Sequence, residues 1–152
     1  MEESLKTILE NFRTAFRIEG HEIGEYSGLQ LAYIGDAAYE MVIRTYVMDQ
    51  GNMQVEKMHK HTTSLVRAGA QAAMYRAMNE ADILTDEETR AYKLGRNSKS
   101  YTKAKNATMT DYRTATGFEA LMGWLYMTGH YSRMIELIAF GLKAIGELKE
   151  NE

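Results

Sequence analysis

Two carboxylates stand at positions where the hydrophobic pattern predicts a protein core. Asp36 follows Gly35 in the apolar run LAYIGDAAYE, and Glu119 lies between Phe118 and Ala120 in the run GFEALMGWLY. An unpaired buried carboxylate carries a large desolvation penalty. The pattern therefore has two interpretations. Either the two acids form a functional site, or Asp36 caps a helix or hydrogen-bonds locally while the side chain of Glu119 extends to solvent.

A glycine accompanies each of these acids. Gly35 adjoins Asp36, and Gly123 lies four residues after Glu119, on the same helix face. Glycine allows two helix backbones to approach closely, which would bring the carboxylates together. Like charges at short range raise each other's pKa unless a cation lies between them. The pattern therefore predicts Asp36 and Glu119 as catalytic ligands of a divalent metal, preferably Mg²⁺.

Three other polar residues are weaker candidates for a functional role. Glu40 lies one turn after Asp36, where it either supports the metal and its water or pairs with Arg44 four residues on. Both interpretations stay open. His59 and His61 are two positions apart, so they do not share a helix face, and we interpret them as surface histidines.

A basic stretch precedes the second acid. Residues 90–113 contain seven of the 18 basic residues and one acid, Asp111, although the net charge is -3. Within it, residues 95–113 lack a helical period, which predicts a long loop. Its cations and neutral donors suit the phosphates and ribose hydroxyls of duplex RNA, although a solvated connection is the alternative. The predicted RNA-binding residues are Arg96, Asn97, Lys99, Lys103 and Lys105.

The elements that must position these residues are predicted to be helices. The chain has no proline, and Ala, Met, Leu, Glu and Lys favour helix nearly everywhere, so we expect an all-α fold. A length of 152 residues suits one domain. Helices are predicted at residues 3–18 with one buried stripe, at 29–49 as the central helix, within 53–79, after a capping box at Thr85–Glu88, at 114–129 and at 132–149.

Composition excludes several classes of protein. The absence of cysteine excludes disulfides and thiolate metal sites, and no apolar stretch reaches the roughly 18 residues of a membrane span. The N-terminal segment is acidic and amphipathic, unlike a secretory signal, so a cytoplasmic location is the default. A net charge of -3 disfavours a protein that coats nucleic acid non-specifically.

Four motifs, in their order and spacing, resemble the Mini-ribonuclease III family, the short bacterial relatives of ribonuclease III that lack its double-stranded-RNA-binding domain. The motifs are LAYIGDAAYE, MHKHTTSLVRAGAQAAM, LGRNSKS and YRTATGFEALMGWLY. The resemblance covers residues 29–145 and leaves the N-terminal helix and loop, residues 1–28, poorly matched. It implies an all-helical ribonuclease III endonuclease domain over residues 1–152 that forms a homodimer around a groove for double-stranded RNA.

The resemblance also implies residue roles. Asp36 matches the aspartate of the family's signature helix, and Glu119 matches its metal-binding glutamate. Two further carboxylates of the larger enzymes are replaced here by Ala32 and Thr116. This leaves the number of metal ions and the remaining ligands open.

The implied function is a Mg²⁺-dependent endoribonuclease that leaves 5′-phosphate and 3′-hydroxyl ends. The implied substrate is the duplex stem of the 23S ribosomal RNA precursor, and a ribosomal protein as an additional partner is left open. One alternative is a catalytically inactive, dimeric module that binds double-stranded RNA. Another is a helical interaction protein without RNA.

Overall fold

The fold in residues 2–50, 54–99 and 108–149, which a computed structural model describes, is entirely helical. Within these ranges there is no strand, which confirms the all-α prediction, and no helix is long and apolar enough to cross a membrane. The helices are α1 (Glu2–Phe16), α2 (Gly28–Met48), α3 (Val55–Val66), α4 (Ala68–Glu80), α5 (Asp86–Arg96), α6 (Met109–Met127) and α7 (Tyr131–Ala144), with a 3₁₀ turn at Ile23–Glu25.

Helices α2 and α6 form the centre of the fold. Their interface is the most extensive of all helix pairs, and α3, α4, α5 and α7 pack around them. Ser27 caps α2 by accepting a hydrogen bond from the Gln30 amide at 3.1 Å. The prediction of a central helix is confirmed. The hydrophobic core around it includes Tyr39, Ile43, Met74, Met78, Phe118, Leu121, Met122, Leu137 and Ile138.

A buried ion pair fixes α5 against α7. The predicted capping box is present, since Thr85 Oγ1 accepts from the Glu88 amide at 3.1 Å and Glu88 Oε1 accepts from the Thr85 amide at 2.9 Å. Arg133 donates to both oxygens of Glu88, from Nε at 2.9 Å and from Nη2 at 3.0 Å. Burial raises the pKa of Glu88, but the hydrogen bonds from Arg133 and Thr85 outweigh it and leave that pKa below its usual range. The carboxylate therefore stays charged and holds α5 in place.

The predicted loop at 95–113 is wrong at both ends. Helix α5 continues through Gly95 to Arg96, and α6 begins at Met109 rather than at Thr114. Thr108 caps α6 by accepting a hydrogen bond from the Asp111 amide at 3.0 Å. The first turn of α6 is polar, so it has no apolar period by which it could be recognised. At the other end of the chain, α7 stops at 144, before the predicted 149.

The buried stripe predicted for α1 is also wrong. Ile8 is 58% exposed, Phe12 44% and Phe16 65%. The core is closed by the other helices, so α1 lies at the periphery, beside an apolar groove of about 940 Å³ whose other wall includes Tyr33 of α2. The rings of Phe12 and Phe16 pack on each other, with centroids 4.4 Å apart. On the central helix α2, Tyr33 and Met41 are exposed as well.

Candidate functional site

The backbones of α2 and α6 touch at a pair of glycines. A Cβ atom on Gly35 would overlap the carbonyl oxygen of Glu119 and lie 2.6 Å from the amide nitrogen of Gly123. A Cβ atom on Gly123 would overlap the carbonyl oxygen of Leu31 and lie 3.1 Å from the nitrogen of Gly35. Only glycine fits at either position. The prediction that these two glycines allow a close approach is confirmed.

This contact brings the carboxyl groups of Asp36 and Glu119 into hydrogen-bonding distance. Glu119 is partly buried, whereas Asp36 is exposed at the edge of the helix pair, so the prediction that both lie in the core is wrong for Asp36. The reason is that the glycine, and not the acid, occupies the contact between α2 and α6. The pair therefore opens to solvent on the side of Asp36.

The surroundings of Glu119 favour its protonated form when no cation is present. Burial, the hydrogen bond with Asp36 and the charge of Asp36 together raise the pKa of Glu119 to about 9. At neutral pH the Glu119 carboxyl therefore keeps its proton. A cation that binds both groups has to displace this proton.

Gln71 reaches the pair from a third helix, α4. Its side chain is 1% exposed, and its Nε2 donates a long hydrogen bond of 3.4 Å to Oε2 of Glu119. This contact favours the ionised form and opposes the rise in the pKa of Glu119. Gln71 is not among the site residues predicted from the sequence. The available signal was an isolated amide among small apolar residues in AGAQAAM, on the inward face of a helix.

An apolar wall lies behind the carboxyl pair. Tyr39 is fully buried, and its ring packs edge-on against Phe118 with centroids 5.1 Å apart. Its hydroxyl donates to the carbonyl oxygen of Leu65 at 2.7 Å. Burial, followed by the charge of Glu119, raises the pKa of Tyr39, so the phenol stays neutral. This wall strengthens the electrostatic coupling between the two carboxyl groups because it lowers the local dielectric.

The donor set suits a small, hard divalent cation. Two adjacent carboxyl groups supply oxygen ligands and a negative charge that a cation would neutralise. In the described part of the chain, no group of three or more His, Cys, Asp or Glu side chains is arranged to hold a metal. Mg²⁺ keeps several waters and is often held by one or two carboxylates together with substrate phosphates. The residues present therefore fit Mg²⁺.

Two of the three remaining polar candidates, Glu40 and His61, have side-chain partners away from the site. Glu40 Oε2 accepts from Arg44 Nη2 at 2.6 Å and from Nε at 2.8 Å, so the structure favours the ion-pair interpretation of Glu40. His61 Nε2 lies 3.0 Å from Oε2 of Glu147, while His59 is exposed. His61 is thus a partly buried contact rather than the surface histidine we predicted.

The two positions that carry extra carboxylates in the larger enzymes contribute no ligand. Ala32 is buried in the small cluster at the start of α2. Thr116 is 9% exposed, and its Oγ1 donates to the carbonyl oxygen of Tyr112 in its own helix at 3.0 Å. The candidate site therefore consists of Asp36 and Glu119, with Gln71 in contact with Glu119.

A basic pocket, lined by Arg96, Asn97, Lys99, Arg113 and Thr116, adjoins this site. It has a volume of about 420 Å³. Thr116 lies one turn before Glu119 on α6, so these two residues share a helix face.

The basic pocket holds three of the five predicted RNA-binding residues, while Lys103 and Lys105 lie outside the described residues. The one acid of the basic stretch, Asp111, accepts from Nη2 of Arg76 at 2.7 Å. This contact from α4 neutralises Asp111, which leaves the pocket's own side chains cationic.

Comparisons with known proteins agree with this architecture. The Ribonuclease III domain family matches residues 29–130. Mini-ribonuclease 3 of Enterococcus faecalis is 48% identical over 126 residues, which cover 83% of this chain and 96% of that protein. Mini-ribonuclease 3 of a Thermoanaerobacter species is 40% identical over 147 residues, covering 97% of this chain and 100% of that protein.

A solved structure supports the fold. The crystal structure of a Fusobacterium nucleatum protein superposes with a TM-score of 0.72 at 29% identity, covering 85% of this chain and 100% of that one. The chain is therefore similar to known proteins both in sequence, over most of its length, and in three-dimensional structure. The chain belongs to the Mini-ribonuclease 3 family of ribonuclease III domain proteins and is an endoribonuclease.

Proposed function

We propose that this endoribonuclease cleaves double-stranded RNA with Mg²⁺ held by Asp36 and Glu119. The contact between these two carboxyl groups at the meeting of α2 and α6 carries the proposal. Family membership supports the reaction class, and the basic pocket beside Glu119 supports a polyanionic substrate.

The chain's own residues have distinct tasks in this reaction. Asp36, at the exposed edge, meets the incoming RNA, whereas Glu119 is held in place by its partly buried position on α6. Asp36 and Glu119 would hold Mg²⁺, which when bound would supply Lewis-acid chemistry that makes a water a better nucleophile toward phosphorus and stabilises the departing 3′ oxygen. The water oxygen stays on the 5′-phosphate product, and the broken bond leaves a 3′-hydroxyl.

The basic pocket positions the RNA backbone in this proposal. Arg96 and Lys99 supply charge, and Asn97 supplies a neutral amide donor. From their place in the basic stretch of the sequence, we expect Lys103 and Lys105 to bind the same RNA backbone. Thr116 of the pocket lies one helical turn from Glu119 on α6, so RNA held in the pocket can extend toward the carboxyl pair.

The proposal extends to assembly and biological role. The exposed apolar side chains of Tyr33 and Met41 on α2 support a homodimer, since large apolar groups on an exposed helix face are typical of interfaces. The family resemblance supports the stem of the 23S ribosomal RNA precursor as substrate, and with it a cytoplasmic location.

Cleavage assays on a 23S precursor stem test the proposal. We expect cuts with Mg²⁺ and none with excess EDTA, recovery when Mg²⁺ is restored, and no cuts in a DNA duplex of the same sequence. Binding without cleavage under any metal condition would favour the non-cleaving RNA-binding module. The absence of both binding and cleavage would favour an interaction protein without RNA.

The basic surface can be tested through the salt dependence of binding. Changing Arg96, Lys99, Lys103 and Lys105 together to Ala should flatten the slope of log affinity against log salt by roughly two to four units, since each lost phosphate contact contributes a little under one. Single-turnover cleavage at saturating RNA should stay within about tenfold of the parent, because the carboxyl pair is intact.

The matched control for this variant changes Lys143, in the last turn of α7, and Lys149, which follows that helix, to Ala; both are exposed. This control should leave the slope unchanged. An unchanged slope in the quadruple variant would mean that the stretch is a solvated connection. Lys60 and Arg67 would then be the next residues to change.

A further inference from the structure

The side-chain amide of Gln71 is buried at a position where an apolar side chain would pack equally well. It lies on α4 between Ala70 and Ala72, which are both buried, and its own side chain is 1% exposed. An apolar side chain of similar length would fill this space without desolvating a polar group. Gln71 is therefore better explained by its contact with Glu119 than by core packing.

The contact has a defined direction. The amide nitrogen can only donate, and it faces Oε2 of Glu119 at 3.4 Å. The carboxylate on the other side of Glu119 belongs to Asp36, on α2. Glu119 is thus held between a donor from α4 and an acidic partner from α2, which restricts the rotation of its carboxylate.

The start of α4 reinforces this arrangement. Gln71 lies in the first turn of α4, which begins at Ala68 after Arg67. The N-terminal end of a helix carries a partial positive charge that favours a nearby anion. Gln71 therefore presents its amide donor to Glu119 from the end of α4 that favours an anion.

We propose that Gln71 is a positioning residue that orients the Glu119 carboxylate for cation binding. This inference rests on the proposed function, because it assigns Gln71 a role in that same site. Residues behind a metal ligand that fix its orientation typically change metal affinity or activity by about 10- to 100-fold when they are replaced.

The decisive variant is Gln71→Met, which keeps the length of the side chain and removes the donor. We expect affinity for Mn²⁺, measured without RNA by the loss of the free-ion EPR signal, to fall by about 10- to 100-fold. With Mg²⁺, kcat should fall over a similar range while KM for the duplex stays near that of the parent. Raising Mg²⁺ should restore much of kcat. A residue with only a structural role would not show this metal-dependent rescue.

Thr114→Val is the matched control. Thr114 is buried on α6, and its Oγ1 donates to the carbonyl oxygen of Thr110 at 2.9 Å, within its own helix. Like Gln71→Met, this change removes a buried hydrogen-bond donor, here a hydroxyl, but it should leave Mn²⁺ affinity unchanged. If Gln71→Met does not fold, Gln71→Asn, which keeps the amide but withdraws it from Glu119, should show the same loss of affinity.

The possible results separate this inference from the proposed function. A parent protein that neither binds Mn²⁺ nor cleaves RNA with Mg²⁺ would overturn the proposed function. A parent that does both, together with a folded Gln71→Met or Gln71→Asn variant that matches it in Mn²⁺ affinity and kcat, would overturn the role of Gln71 alone.

Discussion

Replacing Asp36 by Asn, or Glu119 by Gln, should lower cleavage of duplex RNA by orders of magnitude while folding and RNA binding persist. Each change keeps the shape of the side chain and much of its hydrogen bonding but removes an anionic oxygen ligand. Single-turnover rates on a duplex stem with Mg²⁺, together with binding measured in EDTA, check this. The exposed Glu80 on α4 offers the control Glu80→Gln, which should cleave normally. Near-normal rates in both site variants would remove the proposed site.

The same substitutions should leave the free energy of unfolding, measured without metal, unchanged or higher. The pKa of Glu119 is raised to about 9 in the folded protein, whereas an unfolded glutamate has a pKa of about 4.3. Between these values the folded state holds a proton that the unfolded state has lost, so the free energy of unfolding falls as pH rises. Gln does not titrate, so Glu119→Gln removes this fall in the free energy of unfolding. In EDTA, its advantage in Tm over the parent should therefore be larger at pH 8 than at pH 5.

Gly35→Ala should cost at least about 3 kcal/mol of stability, at or above the upper end of what overpacking usually costs. The added methyl group meets the backbone of Glu119 and Gly123, and backbone atoms cannot rotate away as a side chain can. A loss of this size in a chain of 152 residues lowers Tm by roughly 6 to 12 °C. Gains in helix propensity of up to about 1 kcal/mol offset only part of it.

Gly24→Ala is the matched control, because a Cβ atom there meets nothing within 4 Å. It should change Tm little and leave cleavage normal. Gly35→Ala should also cleave more slowly well below its own Tm, since separating α2 from α6 moves Asp36 away from Glu119. Equal Tm values for the two alanine variants would show that the helices can separate without cost.

Much of this architecture can be predicted from local signals. Ser27 and Thr85 mark helix starts because their side chains bind amides within the same turn, and such caps are visible in the sequence. The cap at Thr108 carries the same kind of signal, but the polar turn that follows it conceals the helix. Local patterns therefore locate helices best where capping and apolar periodicity agree.

Long-range packing explains what could not be predicted. The role of Gln71 depends on α4 lying against α6, and nothing in its own segment indicates which helix it will face. The exposure of Phe12 and Phe16 has the same cause, since an apolar stripe does not specify whether a partner covers it. The approach of Asp36 to Glu119 was predictable only because each acid has a glycine on its helix.

The glycine contact between α2 and α6 also determines when the site can exist during folding. It joins helices that most of the chain separates, and such distant contacts form only after the loop-closure entropy of the intervening segments has been met. A chain that has formed only its local helices holds Asp36 and Glu119 apart. In the proposed mechanism, cleavage then requires the completed core, and a nascent or partly unfolded molecule should not cleave RNA.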